Sequence, residues 1–134
     1  MEEDPRLNRK TIDARVKLLV SVLHSIPGVQ TVSSCGGHKK PGNRLNPSPY
    51  GEFYVDFICR NYSSDTTIPL IQKAICPYKD KINDFSRWLE AEEMIQGKMK
   101  PGYTVWHLEG TEHPNIIAIA IYKELEKSNI DTNP

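Results

Sequence analysis

The first regular pattern in the chain is a set of apolar residues at helical spacing between residues 11 and 26. Its members are Ile12, Val16, Leu19, Val20 and Leu23. Residues three or four positions apart lie on one face of a helix, so the pattern predicts an amphipathic helix. Thr11 can cap its first turn, where Asp13 adds a favourable negative charge, and Pro27 with Gly28 ends it.

Two strands follow, one on each side of a long loop. Residues 29–34 are rich in Val and Thr, which favours a short strand. Residues 52–60 alternate, with Phe53, Val55 and Phe57 on one face and Tyr54 and Asp56 on the other, which predicts a strand with one face on a core. Between them, residues 36–51 hold four glycines and three prolines, a density that excludes regular structure. Loops of this length are often functional.

The second half of the chain predicts a helix, a hairpin and a further helix. Residues 61–67 have the composition of a turn, and Pro69 fits the first turn of a helix that ends before Pro77. Residues 79–100 fit either a helix or a strand over 86–95 that forms a hairpin with the next strand. We favour the hairpin, because the alternating strand at 103–109 needs a partner. Residues 115–127 predict a helix, with a strand as the alternative, and residues 128–134 are expected to fray.

The predicted elements follow the order α-β-β-α-(β)-β-α. At 134 residues the chain fits a single domain. Two segments, 53–76 and 103–127, share one pattern of strand, turn, proline and helix. Together these features predict an α/β domain of the α+β type, a mixed β-sheet with helices packed mainly on one face.

Composition narrows the expected environment and partners. Lysines and arginines number 17, as do aspartates and glutamates, so the formal net charge is zero. That balance argues against an extended surface for nucleic acid, although "HKKPGNR" is a local basic segment. The chain starts with an acidic, polar segment and has no apolar run of membrane-spanning length. Its three cysteines have no framework spacing, and we expect a cytoplasmic protein.

The stretch "SSCGGHKKPG" at residues 33–42 is the main candidate for a ligand site. Two glycines at a strand end let a ligand approach the backbone, and successive N–H groups can bind an anion. Nearby side chains add hydroxyls, charge and an aromatic surface. The predicted ligand-binding residues are Ser33, Ser34, Cys35, Gly36, Gly37, His38, Lys39, Arg44 and Trp106. The alternative is a flexible strand exit with a solvated basic flank.

Metal binding and covalent catalysis are weaker interpretations of the same stretch. Cys35 and His38 have a spacing that can supply two zinc ligands, but no second close pair is present, so we predict no metal site. Cys35 as a nucleophile lacks a visible orienting group, so the catalytic residues stay unassigned. Cys59 and Cys76 lie on apolar faces and are expected in the core.

Aromatic and titratable residues outside this stretch leave several alternatives open. In a hairpin Trp88 and Trp106 can approach each other and stack a base, or they pack in the core. His107 and His113 are expected to be structural or exposed rather than catalytic. Asp56 either faces solvent or contributes a polar contact to a pocket.

The run from the first helix through "PGVQTVSSCGGH" to "FYVDF" resembles the tRNA methyltransferases of wybutosine synthesis. That family places a helix before a strand ending in a Ser-Ser-Cys-Ser-Gly-Arg motif. Matching positions here are Ser33, Ser34, Cys35 and Gly37. Gly36 stands in place of the family's Ser and His38 in place of its Arg, and the resemblance covers roughly residues 10–60. It implies an α/β fold, S-adenosylmethionine as cofactor and a modified guanine in tRNA as substrate.

We therefore expect a small ligand-binding protein with its pocket at the "SSCGGHKK" turn. Under the enzyme hypothesis it is an S-adenosylmethionine-dependent methyltransferase of a tRNA base, since methyl transfer depends mainly on positioning. The alternative is a non-enzymatic sensor or sequestering protein for a nucleotide or other small anion. A homo-oligomer formed through a sheet edge also stays open.

Overall fold

The computed structural model describes residues 14–37 and 52–128. A short 3-10 helix, Ala14–Val16, leads into α1, and another, Cys76–Lys81, follows α2. The main elements are α1 (Lys17–Ser25), β1 (Val29–Cys35), β2 (Phe53–Arg60), α2 (Asn61–Ile75), β3 (Ile82–Ile95), β4 (Lys98–Gly110) and α3 (Pro114–Lys127). This order confirms the predicted α+β class.

The four strands form one sheet in the order β1-β2-β4-β3. All three pairings are antiparallel, which corrects the expected mixed sheet. The reason is topological: β2 and β3 run in the same direction, but β4 lies between them. α2 thus connects two strands that are not neighbours, and no parallel pair forms among the described strands.

The predicted hairpin is confirmed, and it is longer than the sequence indicated. β3 begins at Ile82 and pairs with β4 along almost its whole length. The turn consists of Gln96 and Gly97, whose φ angles are 51° and 76°. Positive φ at both central residues is the pattern of a type I′ turn, whose twist matches that of the two strands.

α2 begins earlier than predicted, at Asn61, because residues 61–67 are helical. Ser63 and Thr67 look like turn or capping residues, but their hydroxyls are buried and lie 2.9 Å apart, one helical turn from each other. Pro69 consequently lies inside the helix rather than in its first turn. Burial of Ile68 and Ile71 beside it offsets the helical hydrogen bond that proline cannot donate.

The hydrophobic core lies between the three helices and one face of the sheet. Alternation along β2 points Phe53, Val55 and Phe57 into it, as predicted. Helix residues such as Leu19, Ile71 and Ile117 meet them from the other side. α3 contacts both α1 and α2. In the described part of the chain, the helices therefore cover one face of the sheet and leave the other free of helices.

One further sequence prediction is wrong, and several others concern residues that the structure does not describe. Cys59 is buried as expected, but Cys76 is exposed at the start of the 3-10 helix, so its assignment to the core was wrong. The capping role of Thr11, most of the 36–51 loop and most of the 128–134 tail lie outside the described residues. Within the part of the chain that the structure describes, no helix is long and apolar enough to cross a membrane.

Candidate ligand site on the helix-free face of the sheet

The helix-free face carries two rows of polar and aromatic side chains that run across all four strands. Cross-strand partners share a face of the sheet, so the register defines each row. One row is Ser33, Asp56, His107 and Ser86, and the next is Cys35, Tyr54, Glu109 and Asp84. We call these eight residues the polar rows.

An irregularity in β1 brings Ser33 into the polar rows. Thr31 pairs with Phe57 on the core side, and the register shifts before Ser33, which pairs with Asp56. Without this extra residue Ser33 would share the buried face of Thr31, because side chains alternate along a strand. The bulge therefore turns the end of β1, and the start of the candidate turn, toward the helix-free face.

His107 is the centre of the polar rows and contacts a carboxylate through each ring nitrogen. Its Nδ1 lies 2.5 Å from Oδ1 of Asp56, and its Nε2 lies 3.1 Å from Oε1 of Glu109. Asp56 comes from β2, while Glu109 lies two residues along β4 on the same face. The imidazole itself is buried. The side chain of Glu109 is 31 % exposed, and that of Asp56 is 18 % exposed. Glu109 is therefore the more accessible of the two carboxylates.

The environment of His107 favours its charged form. Burial lowers the pKa of the imidazole, but the hydrogen bonds and negative charges of Asp56 and Glu109 outweigh it, and the pKa lies above its usual value. In the imidazolium both nitrogens donate, so each carboxylate accepts one bond. In that form the positive charge of His107 lies between the two carboxylates, each of which has a second oxygen that His107 does not contact.

Trp88 stacks on this imidazole from the outer side of the sheet. The two ring centroids are 3.9 Å apart and the planes differ by 12°. Trp88 lies at a register shift in β3, between Arg87 and Leu89, which adds one residue to the strand. It is 58 % exposed. The imidazole packs against one side of the indole, with a further attraction when it is charged, and much of the Trp88 surface is left open to a planar ligand.

The predicted turn lies at the edge of the polar rows. Ser33 approaches the Tyr54 hydroxyl at 3.5 Å, and Cys35 pairs with Tyr54 across the strands. Ser34 points to the opposite face, beside Val55. Gly36 and Gly37 are buried. Gly37 has a φ of 89°, a backbone conformation that would be strained for a residue with a side chain.

Arg15 holds this turn from the N-terminal side of α1. Its Nη1 donates to the carbonyl oxygen of Gly36 at 2.6 Å, across 21 residues of sequence. Because the C=O and N–H of a trans peptide point in opposite directions, this bond also orients the N–H of Gly37 away from Arg15. The turn is thereby fixed in orientation next to the polar rows.

The remaining predicted site residues either lie outside the described residues or occupy the other face of the sheet. His38, Lys39 and Arg44 lie outside the described residues. Trp106 lies on the helix-covered face, where it packs on Phe85 at 5.2 Å and its Nε1 donates to Thr104. Trp88 and Trp106 are thus on opposite faces and do not meet. Within residues 14–37 and 52–128, no three His, Cys, Asp or Glu side chains are grouped to hold a metal ion.

The group formed by Asp56, His107, Glu109 and Trp88 was not predicted from the sequence. The alternation of "FYVDF" and "VWHLE" did place Asp56 and His107 on the faces that they occupy. Their contact, however, joins residues 51 positions apart and depends on the register of β2 on β4. The position of Trp88 depends on a bulge, for which the sequence contains no recognisable signal.

Comparison of the chain with protein-family models, with curated proteins and with solved structures finds no match.

Proposed function

We propose that the protein binds a planar, base-like ligand on the helix-free face, between Trp88 and the turn at residues 33–37. The observation that carries this proposal is an indole stacked on the buried imidazole of His107 while 58 % of its surface stays exposed. An aromatic ring that is fixed in orientation and open to solvent is suited to stacking. Stacking of a base on such a ring is worth about 1–3 kcal/mol.

The polar rows provide the groups that would orient this ligand. The oxygens of Asp56 and Glu109 that His107 does not use can accept from amino or imino groups at the edge of a base. The hydroxyl of Ser33 and the backbone of the 33–37 turn lie at the same end of the sheet. A phosphate or carboxylate on the ligand would be directed to that turn, since the rows themselves are acidic.

Methyl transfer is the enzymatic form of this proposal, and its support is the resemblance to the tRNA methyltransferases of wybutosine synthesis. S-adenosylmethionine would then bind next to the acceptor base, and the face would act by placing donor and acceptor together. Ser33 and Cys35, which match the motif of that family, belong to the polar rows, and Gly37, a third match, follows them in the turn.

Non-enzymatic binding of a free nucleoside or nucleotide is the second candidate function. The observation that favours it is the composition of the polar rows, which bring Asp56, Asp84 and Glu109 together with a single histidine, His107. A surface with more carboxylates than cations repels the phosphate backbone of a nucleic acid. A small ligand with hydrogen-bond donors avoids that repulsion.

Calorimetric titration tests binding directly. The ligands are adenosine, guanosine, AMP, S-adenosylmethionine and S-adenosylhomocysteine, titrated into the wild type, Trp88→Ala and Tyr122→Ala. Tyr122 is a matched control because it is an exposed aromatic, at 50 %, on α3. We expect at least one ligand to bind, with an affinity about tenfold or more lower in Trp88→Ala and unchanged in Tyr122→Ala. Equal binding by all three proteins, or by none, would refute the proposal.

Transfer of a labelled methyl group separates the two candidates. The protein is incubated with methyl-labelled S-adenosylmethionine and each nucleoside, and in parallel with bulk tRNA. Label in the acceptor that is lost with Trp88→Ala supports the methyltransferase. Binding of a nucleoside without label transfer, and without binding of either adenosyl compound, supports the non-enzymatic binder.

A further inference from the structure

A groove with an apolar floor lies between the end of α2 and α3, away from the polar rows. Its volume is about 280 Å³. The floor is made by Ala74, Pro77, Tyr78, Ile116, Ile119 and Ala120. We call it the α2–α3 groove.

Two isoleucines of this groove are exposed to a degree that is unusual for their type. Ile116 is 39 % exposed and Ile119 is 48 % exposed. Together with Ala120 they follow the i, i+3, i+4 spacing of one helical stripe. The opposite stripe of α3, which includes Ile117 and Ile121, is fully buried in the core. α3 is therefore apolar on two sides, of which the core covers one.

The rim of the groove is basic. Lys73, Lys123 and Lys127 line it, with Glu124 as the one acidic lining residue in the described part of the chain. The carboxylate of Glu124 lies 3.6 Å from the ammonium of Lys73 and 3.3 Å from that of Lys127. One negative charge thus faces three positive ones, and the rim has a positive balance.

We propose that the α2–α3 groove is a docking site for an acidic, amphipathic helix of another protein. The apolar face of such a helix covers the two isoleucines, and its carboxylates meet the lysines of the rim. Opposite charges at a rim favour encounter and register, while the apolar floor provides affinity. The proposal is independent of the ligand on the other face of the sheet.

Two other occupants fit less well. A flat membrane surface can touch exposed isoleucines but does not fill a concave groove. A second copy of this chain in a two-fold contact would place one lysine rim against another, and that repulsion opposes it. Vesicle co-sedimentation and light scattering distinguish the membrane and the second copy from the proposed helix.

The test uses a labelled synthetic helix of about 18 residues, or five turns, with Leu on one face and Glu elsewhere. Two control peptides have the same length: one has the same residues in shuffled order, and one has Lys in place of Glu. Fluorescence anisotropy with the full chain should show binding that weakens with added salt. The shuffled and Lys peptides should bind at least about tenfold more weakly, because each lacks one of the two required features.

Variants of the protein locate the site. Lys123→Glu and Ile119→Ser alter the rim and the floor, while Lys98→Glu alters an exposed lysine of the hairpin turn region. We expect the first two to lower peptide affinity about tenfold with little change in melting temperature, since both positions are exposed. Lys98→Glu and Trp88→Ala should bind the peptide as the wild type does.

Several results would overturn the proposal. These are no binding of the acidic peptide, equal binding of the shuffled one, or equal binding by Ile119→Ser and Lys123→Glu. Co-sedimentation with vesicles of anionic phospholipid that is lost in Ile119→Ser would assign the stripe to a membrane. A dimer in light scattering that the same variant dissociates would assign it to a second copy of the chain.

Discussion

At the scale of single residues, His107 shows how one buried group organises a surface. An imidazole without partners would lose its charge in this position, because burial favours the neutral form. Asp56 and Glu109 raise the pKa of His107 instead, and its imidazole lies under Trp88. The arrangement links the protonation of one side chain to the position of the exposed indole.

The raised pKa of His107 predicts a pH-dependent contribution to folding. A group whose pKa is higher in the folded than in the unfolded chain stabilises the fold fully below its unfolded pKa, here near the usual 6.5. That contribution is lost as the pH rises through the folded value. Relative to His107→Gln, the wild type should therefore lose stability as the pH rises above about 6.5.

Urea unfolding at a series of pH values from acidic to alkaline measures this difference. His24→Gln serves as the control for the loss of a histidine outside the polar rows. The assignment to His107 would fail if His107→Gln and the wild type changed in parallel over the whole range.

Gly110 is a second single residue on which the fold depends. A Cβ at this position would lie 2.5 Å from the carbonyl oxygen of Lys81 and 3.2 Å from the ring of Phe53. Since a backbone oxygen cannot move aside easily, Gly110→Ala should lower the free energy of unfolding by about 2 kcal/mol or more. Denaturant titration measures the loss.

Gly97→Ala is the matched comparison for that variant. No atom lies within 4 Å of a Cβ at Gly97, so its cost comes only from its φ of 76°. It should amount to about 1 kcal/mol. A Gly110→Ala variant no less stable than Gly97→Ala would contradict the steric explanation.

At the scale of elements, the sequence predicted most strands and helices but not all of their limits. Strong periodicity identified α1, α3, β2 and β4, because each buries one face on the common core. The start of α2 was missed because Ser63 and Thr67 favour turns locally, and only tertiary packing buries their hydroxyls. The residues of the candidate turn were predicted, but the polar rows beside it required the register between strands distant in sequence.

The β3–β4 turn gives a prediction at this scale. Gln96 adopts a φ of 51°, which a glutamine side chain disfavours, and Gly97 follows it. Asn is the preferred first residue of a type I′ turn, so Gln96→Asn should stabilise the protein by about 0.5–1 kcal/mol. Gln96→Val should destabilise it, since β-branched residues tolerate positive φ poorly. Thermal unfolding of both variants checks the order, and a more stable Val than Asn variant would contradict the turn assignment.

At the scale of the whole molecule, two surfaces of different character lie on opposite sides of one core. The polar rows and Trp88 occupy the helix-free face of the sheet, and the α2–α3 groove lies among the helices that cover the other face. The residues at the two places share no direct contact in the described structure. Substitutions at one surface are therefore expected to add to those at the other.

Arg15 connects the start of the helical layer to the edge of the polar rows, and its removal should loosen that edge selectively. A hydrogen bond from a charged donor to a buried carbonyl contributes about 1.5–3 kcal/mol, and here it orients the Gly36–Gly37 peptide. In Arg15→Gln we expect faster amide hydrogen exchange at residues 33–37, with exchange in the β3–β4 hairpin unchanged.

Arg15→Lys is the control, because it keeps the charge but loses the planar donor that reaches Gly36. Its exchange at residues 33–37 should lie between those of the wild type and Arg15→Gln. Ligand affinity should fall from the wild type through Arg15→Lys to Arg15→Gln, because a turn that is already ordered does not have to be fixed when the ligand binds. Uniformly faster exchange over all strands would instead show that Arg15 supports global stability, and unchanged exchange at the turn would show that the bond does not hold it.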